Sequence, residues 1–328
     1  MSEWNENRLD QEFEAIMNCI PESEDLEKRI NQCINRRIRK IVFRTVAVIM
    51  IVLLVAMFGI NPLMNRKYFN PYEMNEGEEQ KMLGVMRDYV ETVLPYREVV
   101  RLGVEEKEFG RYEIAMQMVD LSNPPVNIGK DNVWVEMNQG EYGTVKDSDS
   151  MMNIRMGRFL NDWNNQEEFI ELIKELPKSA NIYLSVNDTE PKSIEQLRNL
   201  PVMLLWLQVY QPNVEFQGGL LDAPVVLYSD DDDRIYMTEQ ELLEVYCRNL
   251  ENILENPEVW EGLFGLGTDD GKVYTNPKPF LEATYEDAKN LTSLMSENYC
   301  VSGKRDEVLT FLQENEFDSI TVDNVKLW

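Results

Sequence analysis

The chain of 328 residues carries 59 acidic against 32 basic side chains and no histidine, a formal net charge of −27. Without imidazole, Ser-His-Asp and Cys-His nucleophilic catalysis, HExxH zinc chemistry and histidine-based pH sensing are excluded. The acidic surface repels nucleic acid, and the length leaves room for a large globular region.

The charge is unevenly shared. Residues 1–27 hold nine acids against Arg8 alone. From residue 28 to 44 the charges are Lys28, Arg29, Arg36, Arg37, Arg39, Lys40 and Arg44, with no acid. The acidic part suits a basic partner, and the basic part suits anionic headgroups. Leu9, Phe13, Ile16, Met17 and Ile20 recur at helical spacing until Pro21 ends the helix or forces a turn. A second stripe, Leu26, Ile30, Cys33, Ile34, Ile38 and Ile41, continues at the same spacing. Helices of about 12 to 20 residues are marginal alone. These two read either as a frayed segment lying on a membrane or, the favoured alternative, as a partner-binding element whose apolar faces another protein completes.

Residues 45–60 contain no charge, and the run extends through Asn61, Pro62, Leu63 and Met64. Twenty residues at about 1.5 Å each span roughly 30 Å, the thickness of a bilayer's hydrocarbon core. A core helix of a soluble protein would keep a polar edge. A cleaved signal peptide conflicts with the 44 preceding residues and with the lack of a small-x-small site after the run. One membrane-spanning helix is therefore expected over 45–64. Lys and Arg cluster before it, whereas Arg66 and Lys67 are followed by Glu73, Glu76, Glu78 and Glu79. That asymmetry places the N-terminus in the cytoplasm and the C-terminus outside the cell, in a single-pass arrangement at the cell membrane.

Beyond the span, Asn70-Pro71 and Glu76-Gly77-Glu78 read as a linker, and a helix is expected over 78–94. Strands are expected over 99–104, 112–121 and 132–137, with turns at Asn123-Pro124-Pro125 and Gln139-Gly140. The segment 146–162 is ambiguous. Further on, the pattern predicts a helix over 166–176, a strand over 181–186, a short helix over 193–197 and a nearly all-apolar central strand over 202–210. A helix over 238–256 opens with Thr238 and Glu241 as a capping box. Helices over 279–294 and 304–315 and strands over 299–302 and 320–328 follow. The division is thus 1–44 cytoplasmic, 45–64 membrane-spanning, 65–160 a helix with a small antiparallel sheet, and 161–328 a C-terminal region. The fold class is α+β. Two strand-helix-strand units, near 181–210 and 299–328, point to a ferredoxin-like sandwich in the last region.

Cys19 and Cys33 fall before the span, and no CxxC marks a metal or redox site. Cys247 and Cys300 share the outer compartment and either form a disulfide or remain thiols. The four successive aspartates 230–233 lack the spaced ligands of a calcium loop and read as a solvated turn. Trp206, within an apolar strand, reads as a core residue. No Gly-rich phosphate loop, GxSxG or SxxK occurs, so no catalytic residue and no cofactor are assigned.

This order of parts resembles the membrane-bound anti-sigma factors of the sigma-factor-regulator type found in Gram-positive bacteria. The segments that carry the likeness are 179–186 (SANIYLSV), 205–210 (LWLQVY), 262–267 (GLFGLG), 301–308 (VSGKRDEV) and 320–325 (ITVDNV). The resemblance implies that the N-terminal helices sequester an extracytoplasmic-function sigma factor while the outer region senses cell-envelope stress. It makes Leu9, Phe13, Ile16, Met17, Ile20, Leu26, Ile30 and Ile34 the sigma-binding residues. It also implies a regulatory protease or small membrane partner, with proteolytic and conformational release both open. The zinc-binding members carry a His and a CxxC in the cytoplasmic part; this chain has neither, so the contact is expected to be metal-free. The competing reading is an extracellular ligand-binding or enzymatic domain whose inner segment is only an anchor.

Overall fold

Helix runs unbroken through the charge-free stretch in the computed structural model. Its described residues are 23–76, 80–95, 97–121, 132–147, 166–222, 237–263, 266–267, 273–274 and 277–327. Helix α1 (Ser23–Val55) passes into a π-turn (Ala56–Ile60) and then into α2 (Asn61–Lys67). The π-turn has a local cause. Pro62 offers no N–H, and its ring crowds the carbonyl of residue 58. Widening the preceding turn, so that the Asn61 N–H reaches the Ala56 carbonyl five residues back, lets the helix continue past the proline.

The chain divides into two compact units, Met1–Leu63 and Met64–Trp328. In the second, Asn70 caps α3 (Pro71–Asn75) by accepting the N–H groups of Tyr72 and Glu73 at 3.1 and 3.3 Å. Helix α4 (Lys81–Val93) buries Met82, Val85, Met86, Tyr89, Val90 and Val93 along one broad face. An antiparallel four-stranded meander follows, β1 (Arg97–Glu108), β2 (Arg111–Asp120), β3 (Asn132–Asn138) and β4 (Glu141–Asp147). The first three strands fall where expected: β1 and β3 are longer than the expected 99–104 and 132–137, and β2 is shifted by one residue from 112–121. The fourth was not anticipated. It is set by Gln139 and Gly140, both at positive φ (54° and 84°), a turn whose twist matches that of the flanking strands.

The remaining elements are α5 (Gln166–Glu175), β5 (Asn181–Ser193), α6 (Ile194–Arg198), β6 (Met203–Gln208), β7 (Gly219–Leu221), α7 (Glu239–Glu255), the short pair β8 (Leu266–Gly267) and β9 (Val273–Tyr274), α8 (Lys278–Ala288), β10 (Met295–Lys304), α9 (Arg305–Glu314) and β11 (Phe317–Lys326). Five strands form an antiparallel sheet in the order β11-β5-β10-β6-β7. The units β5-α6-β6 and β10-α9-β11 therefore interleave, each strand of one lying beside strands of the other. Register sets Leu184 opposite Val301 and Val322, and Val186 opposite Tyr299 and Ile320, building one apolar face. Strand β6, expected at the centre, is one strand from the edge, beside three-residue β7. Helix α8 stops six residues before the expected end, at the Lys289-Asn290 turn.

Two helix starts are fixed by reciprocal capping boxes, Ser193 with Gln196 and Thr238 with Glu241, each contributing about 1 kcal/mol. Neither Cys247, half-buried on α7, nor Cys300, buried on β10, forms a disulfide; the Cys300 Sγ lies 3.6 Å from the Ser185 Oγ.

Helix α4 joins the two sheets. It packs on β1 from one side and on α7 and β7 from the other, and its Tyr89 ring stacks on Trp260 at 5.2 Å. Trp206 is 3% exposed and donates its Nε1–H to the Glu91 carbonyl at 2.9 Å, so it is a core residue that also ties β6 to α4. Its ring lies over Gly219, where an added Cβ would stand 1.9 Å from Trp206 Cζ2 and 2.8 Å from the Leu207 carbonyl oxygen. Gly219→Ala should therefore destabilise the chain by about 1–3 kcal/mol in denaturant unfolding. Gly103→Ala, at a site with nothing within 4 Å, should leave stability nearly unchanged. Equal midpoints for the two variants would show that the tryptophan does not rest on this glycine.

Candidate functional site

Successive residues of a helix turn by about 100°, so Ile30, Ile34, Ile38 and Ile41 share an arc of about 80° on α1. Arg36, Arg39 and Lys40 fall on the opposite side of the axis. The four isoleucines are 49%, 47%, 52% and 63% exposed, whereas such side chains are ordinarily buried. The stripe is thus a continuous apolar face with no protein cover among the described residues. Of the eight expected sigma-binding residues, Ile30 and Ile34 are placed on this face. Leu26 lies on the same helix, at a position whose side chain is not described. Leu9, Phe13, Ile16, Met17 and Ile20 lie outside the described residues.

The stripe leads into the apolar stretch. From Val46 to Leu63 the large apolar side chains are exposed all round the helix, including Phe58 at 77% and Leu63 at 68%. This is the one helix among the described residues that is long and apolar enough to cross a membrane, and none of its apolar stretch is buried.

A polar constellation that sequence reasoning missed lies in the second unit, around helix α4. On α4, one Glu91 carboxylate oxygen accepts the Leu221 N–H at 3.0 Å. Asp88 accepts from Asn252 Nδ2 at 2.6 Å. Arg87 donates its Nε–H to the Val99 carbonyl at 3.2 Å, and that nitrogen lies 3.9 Å from Glu98 Oε1. Burial raises the pKa of all three acids, Glu91 from 4.5 to about 7. Nearby, Arg198 grips buried Asp222 through Nε and Nη2 at 2.9 and 2.7 Å and reaches the Met237 carbonyl, while Lys192 pairs with buried Asp188. The Arg198 contacts join α6 to the residues after β7 and before α7, whereas Lys192 and Asp188 both lie on β5.

Among the described residues no group of three His, Cys, Asp or Glu side chains is arranged to hold a metal ion. The aspartates 230–233 lie outside the described residues. Comparison with protein families, curated proteins and solved structures gives no match.

Cys33, exposed on α1 beside the isoleucine stripe, offers a direct probe of that face. In the folded chain a maleimide should modify Cys33 while buried Cys300 reacts only after unfolding, as read by mass spectrometry of digested protein. Slow labelling of Cys33 would show that the stripe is covered.

Proposed function

We propose that this chain is a membrane-anchored anti-sigma factor. Residues 45–64 cross the cell membrane once, with residues 1–44 in the cytoplasm and the acidic remainder outside. The cytoplasmic helices sequester an extracytoplasmic-function sigma factor, and the outer unit reports the state of the cell envelope. The observation that carries this reading is the uncovered apolar stripe of α1. It lies between an acidic N-terminal segment and a charge-free helix long enough to span a bilayer. A bare anchor needs the flanking cations alone; two successive apolar faces at helical spacing are what a partner helix or groove would complete. Acids around Leu9, Phe13, Ile16, Met17 and Ile20 suit steering of a basic partner surface.

On the outer side, the strand order β11-β5-β10-β6 with its two interleaved strand-helix-strand units supports the ferredoxin-like reading of the C-terminal sheet. The anti-sigma likeness enters through the quoted segments and through this arrangement. Partner choice rests on the N-terminal helices alone.

The test is a binding measurement on the full chain in detergent with two-domain extracytoplasmic-function sigma factors. Burying one Phe or Ile side chain contributes roughly 1.5–3 kcal/mol, so Phe13→Asp with Ile16→Asp should weaken the complex well over tenfold. Membrane insertion, set by residues 45–64, should be unaffected. In cells the double variant should give constitutive sigma-dependent transcription at normal protein level. Full repression by the double variant, and by Ile30→Asp with Ile34→Asp, would leave the inner segment as an anchor alone.

A further inference from the structure

The apolar side chains around α1 are not distributed evenly by shape. Alternating steps of three and four along the helix give Asn31, Ile34, Ile38, Ile41, Thr45, Val48, Val52 and Val55. After Asn31 every member of this row is β-branched. The long or aromatic side chains Phe43, Met50, Leu53 and Leu54 all fall off it. The row lies within one unbroken helix, is exposed along its whole length and ends at Val55, where the π-turn begins. Its mean step of about 3.5 residues is slightly short of the 3.6 of a straight α-helix. A row of that period stays on one facing side only when helices wind around each other left-handedly.

The chemistry of the row fits the inside of such a seam. Asn31, Ile38, Thr45 and Val52 take the a positions of a heptad, and Ile34, Ile41, Val48 and Val55 the d positions. β-Branched side chains hold one strongly preferred rotamer in a helix, so packing them costs little entropy. Thr45 is the one polar side chain between residues 45 and 60, and both it and Asn31 lie on the row, where each would meet its own counterpart. No cation lies on it, since Arg36, Arg37, Arg39, Lys40 and Arg44 all fall beside it. Arg37 and Arg44, at flanking g positions, would face Val42 of the partner subunit and Ile49 of the partner subunit. No two cations therefore oppose each other across the seam.

We propose that residues 31–55 pair with a second copy of this chain in a parallel, left-handed coiled coil that starts before the span and continues into it. This rests on the span proposed above and not on the sigma-binding role. A soluble partner could cover only the part of the row before residue 45. Lipid has no 3.5-residue period and would be served equally well by leucine or phenylalanine at these positions. The row asks for another membrane helix with the same pattern at the same depth, and a second copy inserted in the same direction supplies it in register. Leu26 and Ile30 are off the row and outside the seam.

The test is disulfide trapping of the full chain in isolated membranes of a host that lacks the partner sigma factor. With Cys19→Ser and Cys33→Ser as background, Ile38→Cys, Ile41→Cys, Val48→Cys and Val52→Cys are oxidised beside Arg36→Cys, Phe43→Cys and Met50→Cys. On non-reducing gels the row variants should give disulfide-linked dimer at least about fivefold above the others and above the background. Equal yields on and off the row, or none above background, overturn the seam. Sedimentation of the unaltered chain in density-matched detergent covers the case of variants that misfold. A mass of two or more chains is expected, and a monomer at every concentration overturns the proposal. Alkaline extraction of the same membranes checks the premise: release of the chain would overturn the span, and the seam with it. Trapping that succeeds in a chain that binds no sigma factor would uphold the seam and remove the sigma role alone.

Discussion

The exposed apolar surface of residues 45–64 is the constraint on which the proposed account depends. Burying apolar surface is worth about 25 cal/mol per Å², so a helix exposing valine, isoleucine, leucine and phenylalanine on every side has a large unmet demand for a non-aqueous surrounding. A bilayer meets that demand along the whole length. It also requires every backbone group to be paired within the helix, since an unpaired one costs several kcal/mol in hydrocarbon. The π-turn before Pro62 meets this second requirement: the hydrogen bond moves to the carbonyl five residues back. In the proposed arrangement the cations before the span and the acids after it assign the remaining chain to two compartments.

Beyond that stretch, the two sheets of the second unit share one helix. Helix α4 turns its apolar face to a core drawn from both sheets, and at its edge it places Arg87, Asp88 and Glu91 against β1, α7 and β7. A helix that serves two sheets cannot shift against one without disturbing the other. Its polar edge is therefore under more constraint than the charges of a solvated helix. The Trp206 ring over Gly219 and the Tyr89–Trp260 stack fix the same region by shape, and Glu91 adds a hydrogen bond from the Leu221 N–H.

Much of the outer fold was legible where local chemistry and periodicity agree. Thr238 with Glu241 marked a helix start that the structure keeps to the residue, and alternation marked β2 as a half-buried strand; β5, expected to be half-buried as well, lies between β11 and β10 and buries Ile182 to Val186 on both faces. The two strand-helix-strand units read near 181–210 and 299–328 are both present, and the structure interleaves their strands in one antiparallel sheet. Strand β4 was missed because Glu141-Tyr-Gly-Thr-Val-Lys-Asp147 offers few large apolar side chains, and its pairing comes from the turn before it. Strand β6 was expected at the centre because its apolar run is covered on both faces. Cover came instead from α4 and from a three-residue neighbour, which no period in the sequence encodes. Glu91 was passed over for a related reason. In sequence it is one acid on the polar side of an amphipathic helix, and only the approach of β7 from more than a hundred residues away makes it a half-buried group that accepts a backbone N–H. Of the expected binding residues, Ile30 and Ile34 could be placed, on an exposed face of α1.

Topology in the cell is the property on which the sigma-binding role stands or falls. Reporter fusions active only outside the membrane, joined in one protein after residue 328 and in another at Met1, measure it directly. The proposed arrangement predicts activity for the C-terminal fusion and none for the N-terminal one. The reverse pattern would put both apolar stripes on the side of the membrane where no sigma factor is found, and would contradict the anti-sigma role outright.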